Sequence, residues 1–280
     1  MSRGWHFINN TDIGQNFLVD RSVVDWMVKR AGLSAADKVL EIGPGDGALT
    51  KGLLEAGCEV CTIELDARLK RFLDPIAARH ANLTMLWGDA VQFDYENGLP
   101  WLPTKIIANL PYHITTPILW VFLEKLASRG LNYLLLMVQM EAAERMTALA
   151  HNHERSPLGV TIEAMGQAQI VRKVPASAFH PQPRVNSSLI EIKLDKNFTL
   201  ACDPAWRAFL ARSFAQRRKT LVNNWCFGYG SLTRERAQGI LTQHGLGLSA
   251  RAEELTLADW TSLVKEPEFA AAAQKAQESE

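Results

Sequence analysis

Short apolar runs alternate with longer stretches of helical spacing over the first 150 residues of the chain. Strands that alternate with helices in this way form a parallel sheet with helices on both faces. Two later apolar runs are separated only by a loop, which predicts an antiparallel pair at the edge of the sheet. The pattern therefore predicts an α/β fold with about seven, mostly parallel, strands. The predicted strands are 37–42, 59–64, 83–87, 105–108, 133–138, 169–174 and 185–194, and the predicted helices among the first five strands are near 47–57, 67–79, 116–128 and 140–149.

The strand pattern stops after Leu194, and helical spacing replaces it. We therefore expect a large first domain over residues 1–199 and a small, all-helical domain over 200–265. Residues 266–280 are rich in Ala, Gln and Glu, a composition typical of a flexible tail or a frayed helix. The helical segments predicted for the second domain are 204–222, 233–244 and 256–265.

Composition excludes several classes of protein. The chain has 280 residues, of which 47% are hydrophobic, enough for a substantial core. It has no apolar stretch of about 18 residues, and its start lacks the charged and then apolar order of a signal peptide, so we expect a cytoplasmic protein without membrane segments. Cys58 and Cys61 form a C-x-x-C, a spacing typical of redox or zinc sites, but they lie in a predicted strand, where residues three apart point to opposite faces. The seven histidines show no metal-ligand spacing, and we expect no metal site.

A glycine-rich loop follows the first predicted core strand. Gly43, Gly45 and Gly47 let a ligand approach the backbone at the end of that strand, where doubly wound sheets bind nucleotides. The spacing suits S-adenosylmethionine (SAM) better than a dinucleotide. Glu64 ends the second strand and could bind the ribose hydroxyls, while Asp89 follows the third and could accept from the adenine amino group.

The fourth strand ends in Asn109-Leu110-Pro111-Tyr112. An asparagine oxygen and the Leu110 carbonyl could accept both hydrogens of a planar amine, such as N6 of adenine, and restore its lone pair. Pro111 would fix the backbone, and Tyr112 would stack on the base. The same four residues are also compatible with an ordinary strand-to-loop turn.

Charge is balanced overall, with a net charge of +0, but it is unevenly distributed. The segment between Pro204 and Arg234 has six basic residues and no acidic one, which predicts a surface that contacts phosphates, although a solvated helix face is the simpler alternative. Three of these residues are consecutive and are the candidate phosphate contacts: Arg217, Arg218 and Lys219.

Five motifs in order resemble the ribosomal RNA adenine N6,N6-dimethyltransferases, and the branch that acts on small-subunit (16S) rRNA in particular. The resemblance covers about residues 12–262. The motifs are Gly14–Asp20, Leu40–Thr50, Asn109–Tyr112, Phe179–Ser187 and Phe214–Leu221.

This resemblance implies a Rossmann-like SAM-dependent methyltransferase with a helical RNA-binding domain. It further implies that Asn16 and Leu18 contact the cofactor and that Phe179 faces Tyr112 across the target adenine. The implied reaction is dimethylation of two adjacent adenosines in the 3′-terminal hairpin of 16S rRNA, within an immature small ribosomal subunit. We expect a monomer.

The sequence leaves other functions open. Phe179–Ser187 also resembles the large-subunit (23S) rRNA methyltransferases that give macrolide resistance. A mainly non-enzymatic ribosome-assembly factor is a second alternative, and a transcription factor like the mitochondrial relatives of the family is a third. The chain departs from the family at His113, where an asparagine is usual, and over residues 150–160.

Overall fold

A computed structural model describes residues 16–269. Gly14 and Gln15 of the first motif, and residues 270–280 of the predicted tail, lie outside this range. The strands are β1 (Phe17–Leu18), β2 (Lys38–Ile42), β3 (Glu59–Glu64), β4 (Leu83–Trp87), β5 (Lys105–Asn109), β6 (Tyr133–Gln139), β7 (Gly166–Val174), β8 (Phe179–His180) and β9 (Ser187–Leu194). The α-helices are α1 (Arg21–Ala31), α2 (Ala48–Glu55), α3 (Lys70–Ala77), α4 (Thr115–Lys125), α5 (Met140–Thr147), α6 (Pro157–Met165), α7 (Pro204–Ser213), α8 (Leu221–Gly228), α9 (Arg234–Gln243) and α10 (Leu257–Leu263).

One seven-stranded sheet forms the centre of the fold, in the order β4-β3-β2-β5-β6-β9-β7. The five strands from β4 to β6 pair in parallel. This confirms the predicted α/β fold with a mostly parallel sheet. β7 and β9 lie side by side at the edge of the sheet, as the loop between their sequence runs predicts.

The central strands are buried along most of their length. Ile106, Ile107 and Ala108 of β5 and the run Leu134–Val138 of β6 have no solvent exposure. Strands covered by helices on both faces need apolar residues at successive positions, which is why they read as continuous apolar runs in the sequence.

Two helices were missing from the sequence prediction. Helix α1 begins at the N-cap Asp20, whose carboxylate accepts from the Ser22 N–H, and α6 begins at the N-cap Ser156. Both contain β-branched residues, which lower helix propensity, so capping and packing decide these segments rather than propensity.

The helix predicted over 204–222 is wrong in its middle part. Helix α7 ends at Ser213 and α8 starts at Leu221, so Arg217, Arg218 and Lys219 lie in a turn and not on a helix face. The side chain of Asn224 stabilises the break, since its Nδ2 donates to the carbonyls of Ser213 and Gln216 at 2.7 and 3.2 Å.

Contacts divide the chain into two compact units. The first runs to Ala143 and includes Ile170–Glu191, while the second contains Glu144–Gln169 and the chain from Ile192 onward. These bounds differ from the predicted boundary at residue 200 because α6 contributes Val160 and Ala164 to the apolar core of the second unit.

The first four residues of the predicted tail, 266–269, are folded and not flexible. Phe269 is fully buried in the core of the second unit, where its ring stacks on Phe209 with centroids 4.5 Å apart. Residues 266–269 therefore belong to this unit. Within the described part of the chain, no helix is both long enough and apolar enough to cross a membrane.

Candidate active site

A cleft at the carboxyl ends of the parallel strands brings together the residues that the sequence singled out in the first unit. Parallel strands all end at the same edge of a sheet, which is where open α/β folds bind ligands. The predicted cofactor and catalytic residues that line this cleft are Asn16, Leu18, Gly43, Gly45, Glu64, Asp89, Asn109, Leu110, Pro111, Tyr112 and Phe179. The structure thus places them around one cavity, while the role of each remains a prediction.

The glycine loop needs its glycines for two separate reasons. Gly43 and Gly45 have φ angles of 64° and 61°, in the left-handed region that other residues seldom adopt. A Cβ on Gly45 would also lie 3.1 Å from the Phe17 ring, so this glycine lets β1 pack closely over the loop. At Gly43 a Cβ would enter the space before Pro111, 3.8 Å from its Cδ.

Glu64 is held at the end of β3 by backbone donors. Its carboxylate accepts from the N–H of Asp66 at 2.8 Å and from the N–H of Gly45 at 3.3 Å. Burial raises the pKa of this carboxyl, and the two N–H donors oppose the shift. The side chain, the predicted ribose acceptor, is therefore fixed against the glycine loop.

Asp89 lies across the cleft from the loop, after β4. Its Oδ1 accepts from the N–H of Val91 at 2.8 Å, which fixes the side chain in a tight turn. Leu65 is 56% exposed although it lines the cavity, and an exposed leucine in a cleft offers a flat apolar ligand a surface to pack on. Its position directly after Glu64 is a signal that the sequence interpretation did not use.

Glu41 is a second cavity residue that the sequence interpretation did not assign. It is 1% exposed on β2, and its Oε2 accepts from the Thr50 hydroxyl at 2.7 Å. Burial, with the charges of Glu64 and Asp46, raises the pKa of Glu41 to about 8. A glutamate inside an apolar strand just before a glycine loop is the signal that could have identified it.

The amide of Asn109 is oriented by the backbone carbonyl of Asn16, the residue before β1. Its Nδ2 donates to the carbonyl of Asn16 at 3.4 Å. A carbonyl only accepts, so this contact assigns the nitrogen to the Asn16 side and leaves Oδ1 as the acceptor on the other side. Leu110 is anchored by its N–H, which donates to the Met137 carbonyl at 3.0 Å.

Pro111 and Tyr112 form the turn that follows β5. The Pro111 carbonyl accepts from the Ile114 N–H at 3.2 Å, so it belongs to the turn and is not a substrate acceptor. The Tyr112 hydroxyl lies 2.7 Å from the Ser187 Oγ, and burial raises the pKa of the phenol. Tyr112 therefore stays neutral and presents its ring to the cleft.

Phe179 reaches the cleft through a two-stranded sheet. Strands β1 and β8 pair antiparallel, with Leu18 opposite Phe179 and Phe17 opposite His180. Phe179 is 4% exposed and lines the same cavity as Tyr112. The pairing joins the segment predicted to cover the cofactor to the ring predicted to contact the base.

His113, the departure from the family motif, is exposed at the rim of the cavity. Its exposure allows contact with an entering ligand. Among residues 16–269 there is no group of three or more His, Cys, Asp or Glu side chains that could hold a metal ion.

The predicted RNA-contacting residues lie in the second unit. Arg217, Arg218 and Lys219 are exposed, and none of them takes part in the ion pairs described for residues 16–269. The Asn224 Oδ1 accepts from the Gln216 N–H at 3.2 Å, which adds to its two donated bonds and holds the turn. We define residues 214–220 as the basic turn.

The residues of the cleft fit SAM on these observations. The glycines leave an open cradle beside Pro111 that a Cβ would enter, Glu64 and Asp89 supply acceptors for hydroxyl and amino groups, and Leu65 offers an apolar surface. Glu64 and Gly45 would hold the ribose end, and Asn16 and Leu18 would cover it.

Replacement of Gly45 by alanine tests the packing of β1 on the loop. Gly45→Ala is expected to cost about 1–2 kcal/mol of unfolding free energy from the left-handed φ alone, and it should also displace Phe17 and weaken SAM binding. The measurements are urea unfolding and calorimetric SAM titration.

Gly32→Ala is the matched control, because Gly32 has a similar φ of 55° but open space around its Cβ position. It should lose stability and keep its SAM affinity. Equal SAM affinities for the two variants would contradict the packing argument.

Replacement of Glu41 by glutamine tests its raised pKa. The folded protein retains a proton on Glu41 up to a pKa of about 8, whereas the unfolded chain loses it near the ordinary glutamate pKa of 4.5, so wild-type stability falls as the pH rises between these values. The stability of Glu41→Gln relative to the wild type should therefore increase by up to about 1.4 kcal/mol per pH unit in this window. Urea unfolding of the SAM-free proteins from pH 5 to pH 8 measures it, and a pH-independent difference would refute the shift.

Comparison with known proteins agrees with this geometry. The sequence model of the family "Ribosomal RNA adenine dimethylase" matches residues 6–268. Two relatives are named "Ribosomal RNA small subunit methyltransferase A". The protein from Clostridium botulinum is 36% identical over 266 residues, covering 92% of this chain and 94% of the relative, and the protein from Alkaliphilus metalliredigens is 32% identical over 268 residues, covering 94% and 93%.

Solved structures show the same fold. A dimethyladenosine transferase from Plasmodium falciparum superposes with a TM-score of 0.72 at 26% identity, covering 88% of this chain and 95% of that one. The 23S rRNA methyltransferase ErmE has a TM-score of 0.66 at 24% identity, covering 89% and 98%, which shows a shared fold alone.

The family match extends over nearly the whole chain and includes both the glycine loop and the Asn-Leu-Pro-Tyr turn. It confirms the resemblance drawn from the motifs, the enzyme class and SAM as the cofactor. The chain belongs to the ribosomal RNA adenine dimethylase family and is a SAM-dependent rRNA methyltransferase.

Proposed function

We propose that this enzyme dimethylates N6 of two adjacent adenosines in the 3′-terminal hairpin of 16S rRNA, and that its substrate is the immature small ribosomal subunit. The observation that carries the proposal is the orientation of Asn109, whose Nδ2 faces the Asn16 carbonyl and whose Oδ1 is left as an acceptor. The names of the relatives support the small-subunit substrate. We further propose that it acts in the cytoplasm as a monomer.

The chemistry of this site rests on hydrogen-bond acceptors. SAM supplies a methyl group on a sulfonium, an activated donor that needs no strong base. Asn109 Oδ1 and the Leu110 carbonyl would accept the two N6 hydrogens, which localises the nitrogen lone pair and aims it at the methyl group. The proton can leave to solvent after transfer.

The aromatic residues would hold the base in place. Tyr112 and Phe179 line the same cavity, and rings on the two faces of a flipped base each contribute about 1–3 kcal/mol of stacking. The neutral phenol of Tyr112 has its hydroxyl directed at Ser187, so its role is stacking and not proton transfer.

The basic turn would position the RNA. Phosphate contacts from arginine and lysine fix register without reading the sequence. Arg217, Arg218 and Lys219 are exposed on a turn held by the buried Asn224, so three cations are presented on a fixed backbone. A fixed arrangement of three exposed cations favours RNA contact by the second unit over the alternative of a solvated helix face.

The 23S rRNA reaction is the second candidate function. It is favoured by the Phe179–Ser187 motif, but the relatives at 32–36% identity carry the small-subunit name. A purely non-enzymatic assembly role is disfavoured by the complete set of acceptors and rings around the cleft.

Incubation with labelled SAM tests the proposed substrate. Immature small subunits and naked 23S rRNA are offered separately, and the labelled base is then mapped. We expect dimethylated adenosines at two adjacent positions in 16S rRNA. Label confined to 23S rRNA, protein or DNA would overturn the proposal.

Asn109→Ala is the variant for the same assay. Loss of one preorganised polar contact at a reacting centre typically lowers the rate by about 100- to 1000-fold, and the fold should be retained. Asn97→Ala is the control, since Asn97 is an exposed asparagine bonded to Asp94, and it should methylate at the wild-type rate. A wild-type rate for Asn109→Ala would refute the acceptor role.

Substitution in the basic turn tests its role in RNA binding. Arg217→Gln, Arg218→Gln and Lys219→Gln should each weaken RNA binding and reduce the slope of log K against log salt by about one unit. Filter binding at several salt concentrations measures the slope. Lys265→Gln, an exposed lysine of the same unit, is the control and should leave the slope unchanged. Slopes that match this control in all three variants would contradict phosphate contact.

A further inference from the structure

Two adjacent residues, Asn186 and Ser187, contact the segments that carry the two rings of the cleft. Ser187 bonds to the Tyr112 hydroxyl, and Asn186 bonds to the turn before Phe179. Ser187 begins β9 and is fully buried, whereas Asn186 precedes the strand and is exposed. Neither residue lines the cavity itself among the residues described there. Their contacts therefore bear on the site only through other residues.

Ser187 holds Tyr112. The two hydroxyl oxygens are 2.7 Å apart, the usual distance for a hydrogen bond between hydroxyls. Because Ser187 is fixed in a strand, this bond restrains the far end of the tyrosine and so the tilt of its ring. The backbone end of the ring is fixed separately by the turn at Pro111.

Asn186 holds the turn that leads to Phe179. Its Oδ1 accepts from the Ala176 N–H at 3.2 Å, and its carbonyl accepts from the Met140 N–H at 3.1 Å. Ala176 starts a short 3₁₀ turn that ends at Ala178, directly before Phe179. The Ala178 carbonyl accepts in turn from the Val19 N–H at 2.9 Å, next to β1.

We propose that Asn186 and Ser187 are positioning residues that together set the separation and tilt of the two rings, and so the width of the slot for the target adenine. Ser187 acts through the Tyr112 hydroxyl, and Asn186 acts through the turn before Phe179. The inference rests on the proposed function and deepens it. It also gives the Tyr112 hydroxyl a role, which is to anchor the ring through its hydrogen bond to Ser187.

The test is a double-mutant cycle on single-turnover methylation of immature small subunits. Ser187→Ala and Tyr112→Phe each remove one partner of the same hydrogen bond, which corresponds to a loss of about three- to tenfold in rate. The double variant should be no slower than either single variant, because the bond is already absent. The loss should appear in the single-turnover rate constant, with the dissociation constants of the subunit and of SAM close to the wild-type values.

Ser188→Ala is the matched control. Ser188 is also fully buried and is the next residue of β9, but its hydroxyl donates to the Met140 Sδ and not to Tyr112. It should keep the wild-type rate. Thermal unfolding of all variants separates loss of folding from loss of ring position.

Asn186 has its own pair of variants. Asn186→Asp keeps an oxygen acceptor for the Ala176 N–H and should retain the wild-type rate within twofold, whereas the similarly shaped Asn186→Leu should lose about three- to tenfold. Exposure of the side chain makes both variants compatible with folding.

Three results would overturn the inference. Equal rates for Ser187→Ala and Ser188→Ala would refute the role of Ser187, and additive losses in the double variant would show that Tyr112 and Ser187 act separately. Equal rates for Asn186→Leu and Asn186→Asp would refute the role of Asn186. Absence of RNA methylation by the wild type would instead refute the proposed function, and this inference with it.

Discussion

The parallel register of β2, β3, β4 and β5 is the constraint on which the whole site depends. Ile42 pairs with Ile63, and Glu64 pairs with Trp87. The strands β2, β3 and β4 therefore end at nearly the same height on one edge of the sheet. Asn109 ends β5 opposite Met137 of β6. A shift of one residue in any of these pairings would turn a site residue to the opposite face of the sheet. Close packing of the buried side chains of β2, β3 and β5 opposes that shift.

A second layer closes the site over this edge. The two residues of β1 pair with the two of β8, which brings Leu18 opposite Phe179 although they are far apart in sequence. The Asn16 carbonyl accepts from Asn109, so the same segment that covers the glycine loop also orients the proposed acceptor. The proposed cofactor cover, the proposed base contact and the orientation of the acceptor are thus coupled through a few backbone groups. Loss of the β1 packing at Gly45 would therefore disturb all three of these features.

Much of the fold was predictable from sequence because its central strands are buried on both faces. β3 and β4 have the predicted bounds, since their ends are marked by Glu64 and by the Gly88 that follows Trp87. Gly43, Glu64, Asp89 and Asn109 followed from the same logic, since each lies at or shortly after the carboxyl end of a strand, whereas Asn16 and Leu18 were implied only by the family resemblance. The family match then confirmed the family that the five sequence motifs had indicated.

The features that were not predicted from the sequence depend on tertiary contacts, which no local sequence pattern indicates. Helix α6 is rich in β-branched residues and packs in the second unit, so its apolar spacing did not identify it. The break between α7 and α8 depends on the side chain of Asn224, eleven residues after Ser213. The bond between Tyr112 and Ser187 spans 75 residues, and the raised pKa of Glu41 comes from three-dimensional burial. Tertiary environment, and not propensity, decides each of these.

The account turns on how the adenine amino group meets Asn109 and Leu110. The most direct measurement is a crystal structure of the enzyme with S-adenosylhomocysteine and a short RNA that contains the target adenosines. The account predicts that N6 lies within hydrogen-bond distance of both Asn109 Oδ1 and the Leu110 carbonyl, with the base between Tyr112 and Phe179. An adenine bound elsewhere, or an Asn109 amide that turns its nitrogen toward N6, would contradict it.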